Sequence, residues 1–126
     1  MKKITWYFHL LICLLAAGLP VATPQLAWAH AFPDHSEPRV GSTVQGSPAF
    51  VRIWFDGALE SAFTTIVVKD STDFNIDRGN GRVNPSDPTL LEVDLPVLPP
   101  GTYRVFWDVL ARDGHRTKGD YTFTVK

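Results

Sequence analysis

The chain has 126 residues, enough for one domain of modest size, and its 12 basic and 13 acidic residues nearly balance. The basic residues form no continuous stripe, so nucleic acid and anionic membrane surfaces are not expected partners.

The first 29 residues have the composition of a secretory signal peptide. Lys2 and Lys3 give a positive start, an apolar run occupies residues 4–19, and Ala27-Trp28-Ala29 supplies a small-x-small cleavage site. The run is shorter than the about 20 apolar residues that a membrane span requires. We therefore predict cleavage after Ala29 rather than an uncleaved membrane anchor.

That cleavage would remove 29 of the 126 residues and leave one domain of 97, residues 30–126. Cys13 and Met1 are the only cysteine and the only methionine of the chain, and both would be lost with the leader. The formal charge would change from −1 to −3, because the leader holds two lysines and no acidic residue. A rival cut after Ala31 stays open, since Ala29-His30-Ala31 is also small-x-small.

Short apolar runs separated by Pro and Gly predict β-strands in the remaining domain, and no stretch shows a convincing apolar stripe at helical spacing. The predicted fold class is all-β, a Greek-key Ig-like β-sandwich of about seven strands. In chain order, the candidates are a short strand near 42–45, then 50–55, 64–69, a weak strand near Arg82 and Val83, 90–95, 102–111, and a last strand carrying Tyr121, Phe123 and Val125.

Three local patterns add detail. Gly101-Thr102-Tyr103 before a strand predicts a tyrosine corner, with an ordinary core tyrosine as the alternative. Trp107 is expected in the core, whereas Trp54 has the polar parity of its strand and would be exposed or cover an edge. Residues 70–88 are polar and turn-rich, but they lack the ligand spacing of an EF-hand, which favours a long connection over a calcium loop.

The histidines suggest metal binding. Cleavage after Ala29 would make His30 the first residue, and its free α-amine and imidazole could together chelate one metal ion. An α-amine titrates near pH 7.7, so a metal can displace its proton close to neutrality.

Asp113-Gly114-His115 is the second candidate element of the site. Residues two apart on a strand share a face, so a carboxylate and an imidazole could meet the terminus at one end of the sandwich. The combined nitrogen and oxygen set suits Cu(II), and the absence of sulfur disfavours Cu(I). Alternatively, Asp-Gly simply shapes a hairpin turn and His115 is an ordinary surface residue. Asp34 and His35 could assist the site, although solvated loop residues are the favoured interpretation.

These residues resemble the CopC/PcoC family of periplasmic copper-binding proteins. The resemblance lies in the start His30-Ala31-Phe32, in the segment 101–107, and in 113–119, which is similar to the family's D-G-H-x-x-x-G ending. It implies a Greek-key sandwich with a Cu(II) site on His30, Asp113 and His115. It also implies a periplasmic location, with a CopD-type inner-membrane copper permease as the expected partner. Nothing in the sequence indicates an oligomer, so a monomer is expected. Lacking methionine after the leader, the chain resembles the Cu(II)-only type.

Two positions depart from the family pattern. Phe55-Asp56-Gly57 stands where the family often has Phe-Ser-Glu, so neither Asp56 nor Glu60 is assigned to the site. Pro33 stands where the family usually has an apolar residue, and its fixed φ stiffens the chain near His30.

The favoured function is a copper carrier or buffer rather than an enzyme, with uptake and detoxification equally open. One alternative is an oxidase, because some copper monooxygenases that cut polysaccharides also chelate copper through an N-terminal histidine. The other is a metal-free Ig-like domain that binds protein or sugar.

Overall fold

The structure is a computed structural model that describes residues 31–126. His30 and the predicted leader, residues 1–29, lie outside the described residues. Within residues 31–126, the one helical segment is the 3₁₀ turn Ser61–Phe63, and no helix is long and apolar enough to cross a membrane. The strands are β1 Pro33–Glu37, β2 Thr43–Val44, β3 Phe50–Phe55, β4 Thr65–Lys69, β5 Arg82–Asn84, β6 Asp87–Asp94, β7 Gly101–Leu110 and β8 Arg116–Val125.

The strands form two four-stranded sheets, which confirms the predicted all-β sandwich. One sheet has the order β1-β3-β6-β5 and the other β2-β8-β7-β4. The pairs are antiparallel except for β2, which runs parallel to β8. The described residues contain eight strands rather than about seven. The additional strand is β1, in which Ser36 is the one buried residue, so it has no alternating apolar pattern to predict it.

The core lies between the two sheets and follows the period-2 pattern of the sequence. On β3, Val51, Ile53 and Phe55 are buried, as predicted. On β7, Val105 and Val109 are fully buried. Trp107 belongs to the same face but is only partly buried, and its ring meets that of Phe55 edge-to-face at 5.4 Å.

The tyrosine corner is confirmed. The phenol of Tyr103 donates a hydrogen bond of 2.6 Å to the carbonyl oxygen of Pro99, four residues earlier.

In the polar connection after β4, Asp70 accepts hydrogen bonds from the Thr72 side chain and from the backbone of Thr72 and Phe74, which lowers the pKa of its carboxyl group. This carboxylate therefore organises its own loop.

Tyr121 gives the domain a pH-dependent component of stability. Burial raises the pKa of Tyr121 to about 12. An unfolded phenol titrates near pH 10, so the folded protein binds the proton more tightly and unfolding releases it between these two values. The free energy of unfolding therefore falls as the pH rises from about 10 to about 12.

We expect Tyr121→Phe to lose this component, worth on the order of 1–2 kcal/mol. Urea unfolding of both proteins at pH 8 and pH 11 measures it. The difference in unfolding free energy between wild type and Tyr121→Phe should shift in favour of the variant at the higher pH. An identical difference at both pH values would contradict the assignment.

Candidate metal site

Asp113 and His115 lie in the tight turn that joins β7 to β8, not on a strand. The Gly114 N–H donates to the Ala111 carbonyl oxygen at 2.9 Å, and the Ala111 N–H donates to the His115 carbonyl oxygen at 2.8 Å. Gly114 has a φ of 93°, a conformation that favours glycine. The expectation that both residues continue the strand is therefore wrong, and Asp-Gly forms a hairpin turn, as its sequence allows.

The turn nevertheless brings the two predicted ligands together. The His115 N–H donates to Asp113 Oδ1 at 2.9 Å, which fixes the carboxylate over the turn. The same Oδ1 lies 3.2 Å from Nδ1 of the His115 imidazole. The side chains of His115 and Asp113 are 38% and 29% exposed, so both are partly accessible to solvent although the turn that carries them is ordered by hydrogen bonds.

The first described residues are anchored beside this hairpin. Ala31 is fully buried in the core cluster. Its carbonyl oxygen accepts a hydrogen bond of 2.7 Å from the hydroxyl of Thr117, two residues after His115. Phe32 exchanges two hydrogen bonds with Asp56: its N–H donates to Asp56 Oδ1 at 2.6 Å, and its carbonyl oxygen accepts from the Asp56 N–H at 2.9 Å.

The segment after β3 completes this end of the sandwich. Leu59 forms an isolated bridge with Ala111. The Arg112 N–H donates to the Ala58 carbonyl oxygen, and the Glu60 N–H donates to the Leu110 carbonyl oxygen. Three parts of the chain that are distant in sequence therefore meet here, residues 31–32, 56–60 and 110–117.

Of the three predicted ligands, the structure brings together Asp113 and His115, and His30 lies outside the described residues. Among residues 31–126, no three His, Cys, Asp or Glu side chains are grouped as a metal site.

The other candidates have structural partners. Glu60 lies 4.0 Å from the Arg112 guanidinium, and the Asp56 carboxylate accepts a hydrogen bond from the Phe32 N–H. His35 Nδ1 lies 2.8 Å from Asp34 Oδ2, and its ring stacks on Trp54 with centroids 4.4 Å apart and planes 9° from parallel. His35 and Asp34 are exposed, as expected, but they belong to β1 and not to a loop. Trp54 is partly exposed on β3, an inner strand of its sheet, and it stacks on a side chain of the neighbouring edge strand β1.

The last residue of the D-G-H-x-x-x-G pattern has a packing reason. Gly119 pairs with Trp107 across β7 and β8. A Cβ at Gly119 would lie 2.6 Å from Cζ2 of the Trp107 ring. The indole therefore lies directly on the backbone of β8, which only glycine permits without movement of the ring.

Sequence reasoning missed Thr117 and left Asp56 unassigned. Thr117 lies two residues after His115, and on a strand this spacing puts two side chains on the same face, so Thr117 could have been noticed as a neighbour of the site. The contact from Thr117 to Ala31 spans 86 positions of sequence, and no local pattern predicts it.

The fold and the paired Asp113 and His115 define a two-sheet β-sandwich with candidate metal ligands on its longest hairpin. The profile of the CopC domain matches residues 34–126, and the chain belongs to the CopC family.

Known relatives and structures agree with this membership. Protein YobA of Escherichia coli (strain K12) is 36% identical over 107 residues, which cover 84% of this chain and 86% of YobA. The crystal structure of CopC from Methylosinus trichosporium OB3b has a TM-score of 0.68 at 34% identity and covers 77% of this chain and 94% of that one. PcoC from Escherichia coli, described as a methionine-rich copper resistance protein, has a TM-score of 0.66 at 30% identity, with coverages of 78% and 100%.

Proposed function

We propose that the mature chain, residues 30–126, is a monomeric periplasmic protein that binds one Cu(II) ion. It buffers the ion or passes it to a CopD-type copper permease of the inner membrane, and it is not an enzyme. The observation that carries this proposal is the Asp113–His115 pair, 3.2 Å apart and partly open to solvent, beside the anchored Ala31.

The connectivity of the chain supports the proposed ligand set. His30 is bonded to Ala31, and consecutive Cα atoms are about 3.8 Å apart across a trans peptide. Ala31 in turn is hydrogen-bonded to Thr117 on the strand that follows the hairpin. The α-amine and imidazole of His30, the imidazole of His115 and the carboxylate of Asp113 would together give three nitrogens and one oxygen, which fit Cu(II).

The composition supports Cu(II) over Cu(I). The chain's one cysteine and one methionine both precede residue 30, so the proposed mature domain offers no soft sulfur ligand. In this respect it differs from PcoC, which is described as methionine-rich.

The packing of Ala31 supports cleavage after Ala29. Ala31 is 0% exposed, and its carbonyl oxygen is hydrogen-bonded. A cut after Ala31 would remove this core residue together with His30. The proposed cut keeps both, and export through a cleaved signal peptide would deliver the domain to the periplasm.

A copper titration of protein that begins at His30 tests the function. We expect one Cu(II) per chain and a rise of several degrees in the melting temperature, because a ligand that binds only the folded state stabilises it. His115→Ala removes a proposed ligand and should weaken binding by at least about 100-fold, the upper end of what losing a residue that only orients a ligand costs. The control His35→Ala, which removes an exposed histidine of β1, should leave affinity unchanged. Competition with a chelator of known affinity measures both. Equal losses in the two variants would remove His115 from the proposed ligand set. No stoichiometric binding by the wild type would refute the proposed function and favour a metal-free binding domain.

A further inference from the structure

We propose that Thr117 and Asp56 are positioning residues that hold the backbone of Ala31 and Phe32 so that His30 binds the same Cu(II) ion as His115. This inference rests on the proposed function. Neither side chain is a ligand in it, and both act through the segment that directly follows the terminal histidine.

Thr117 connects the terminus to the strand of the hairpin. It lies on β8, two residues after His115. Its hydroxyl donates to the Ala31 carbonyl oxygen at 2.7 Å, a typical length for a well-formed hydroxyl hydrogen bond. This bond fixes the peptide group one residue away from His30 relative to the hairpin.

Asp56 holds the next residue from the other sheet. It directly follows β3, and it both accepts from the Phe32 N–H and donates its own N–H to the Phe32 carbonyl oxygen. The pairing of β1 with β3 shifts register just after this point, between Pro33 and His35. The two bonds to Asp56 therefore hold the segment where the regular ladder is interrupted.

These contacts matter because the first residues of a domain are poorly ordered unless they are tied down. The buried methyl group of Ala31 and the three hydrogen bonds lie within two residues of His30. A site that takes two of its nitrogens from the terminal residue needs that residue ordered, and each lost anchor adds an ordering cost to copper binding.

Three variants of the protein beginning at His30 test the role. Thr117→Val keeps the shape of the side chain but removes the hydroxyl, Thr117→Ser keeps the hydroxyl, and Thr122→Val is the matched control on an exposed position of β8. We expect Thr117→Val to bind Cu(II) about tenfold more weakly, the size typical of residues that orient metal ligands. Its Cu(II) paramagnetic resonance spectrum should show altered nitrogen coordination. Thr117→Ser and Thr122→Val should match the wild type in both measurements.

The outcomes separate this inference from the function itself. Wild-type affinity and spectrum in Thr117→Val, with binding still lost in His115→Ala, would overturn the positioning role alone. If the wild type binds no Cu(II), the function and the positioning role both fail. Should Thr117→Val not fold, as its metal-free melting curve would reveal, Asp56→Ala tests the same role from the other sheet, and unchanged affinity there would overturn it.

Discussion

A single glycine added before His30 is expected to weaken Cu(II) binding by at least about 100-fold. The extra residue converts the α-amine of His30 into an amide and moves the free amine away. In the proposed site, the amine and the imidazole of His30 bind the same ion. Once one of these nitrogens is bound, the other is held close to the metal, so the second metal–nitrogen bond forms at a high effective concentration. Linking two binding groups in this way raises affinity by about 10²–10⁴-fold. Losing the link loses this gain.

The measurement compares two proteins that differ by one residue. Chelator competition gives the affinity of the chain that begins at His30 and of the chain that begins with Gly before His30, and intact mass confirms each start. A third protein with one glycine added after Lys126 has the same composition as the second and should bind like the first. Full affinity in the N-terminally extended protein would remove the α-amine from the ligand set.

Gly119→Val is expected to reduce the free energy of unfolding by about 3 kcal/mol, at the upper end of overpacking effects. The Trp107 ring lies so close that even a Cβ would approach Cζ2 to 2.6 Å. The ring would have to leave its place against Phe55, or β8 would have to move away from β7. For a domain of this size the melting temperature should fall by roughly 10 °C or more.

Thermal and urea unfolding of the metal-free protein measure this effect. Gly57→Ala is the control, because a Cβ at Gly57 would lie 3.7 Å from Cα and Cβ of Ala31, an ordinary van der Waals distance. In a double-mutant cycle, Gly119→Val should lower the free energy of unfolding much less in the Trp107→Leu background than in the wild type, because the clash requires the indole ring. Additive effects of the two substitutions would show that the ring is not the cause.

β3 could be predicted from the sequence because buried and partly exposed residues alternate strictly along it. β3 lies where its pattern places it, and β7 differs by one residue at each end. β1 could not be predicted in this way, because its position depends on pairing with β3 through a bulge and on the stacking of His35 on Trp54. These contacts are tertiary and leave no periodic signal in five mostly exposed residues.

Of the candidate site, the sequence could predict that Asp113 and His115 lie close together, but not the geometry that brings them there. Asp113 and His115 do lie close together, as their spacing predicted. The cause is a hairpin turn and its hydrogen bonds, and not the alternation of side chains along a strand. The tie from Thr117 to Ala31 joins opposite ends of the domain and depends on how the two sheets pack. The position of a terminus relative to a distant hairpin is a property of the complete fold.

The turn carrying Asp113 and His115 closes the longest hairpin of the sandwich, ten residue pairs in length, and its shape depends on backbone hydrogen bonds. Asp113 and His115 are thus held close together by the fold itself. If they bind copper as proposed, this side of the site needs no rearrangement of either sheet when an ion arrives or leaves, so little of the binding free energy is spent on ordering the hairpin.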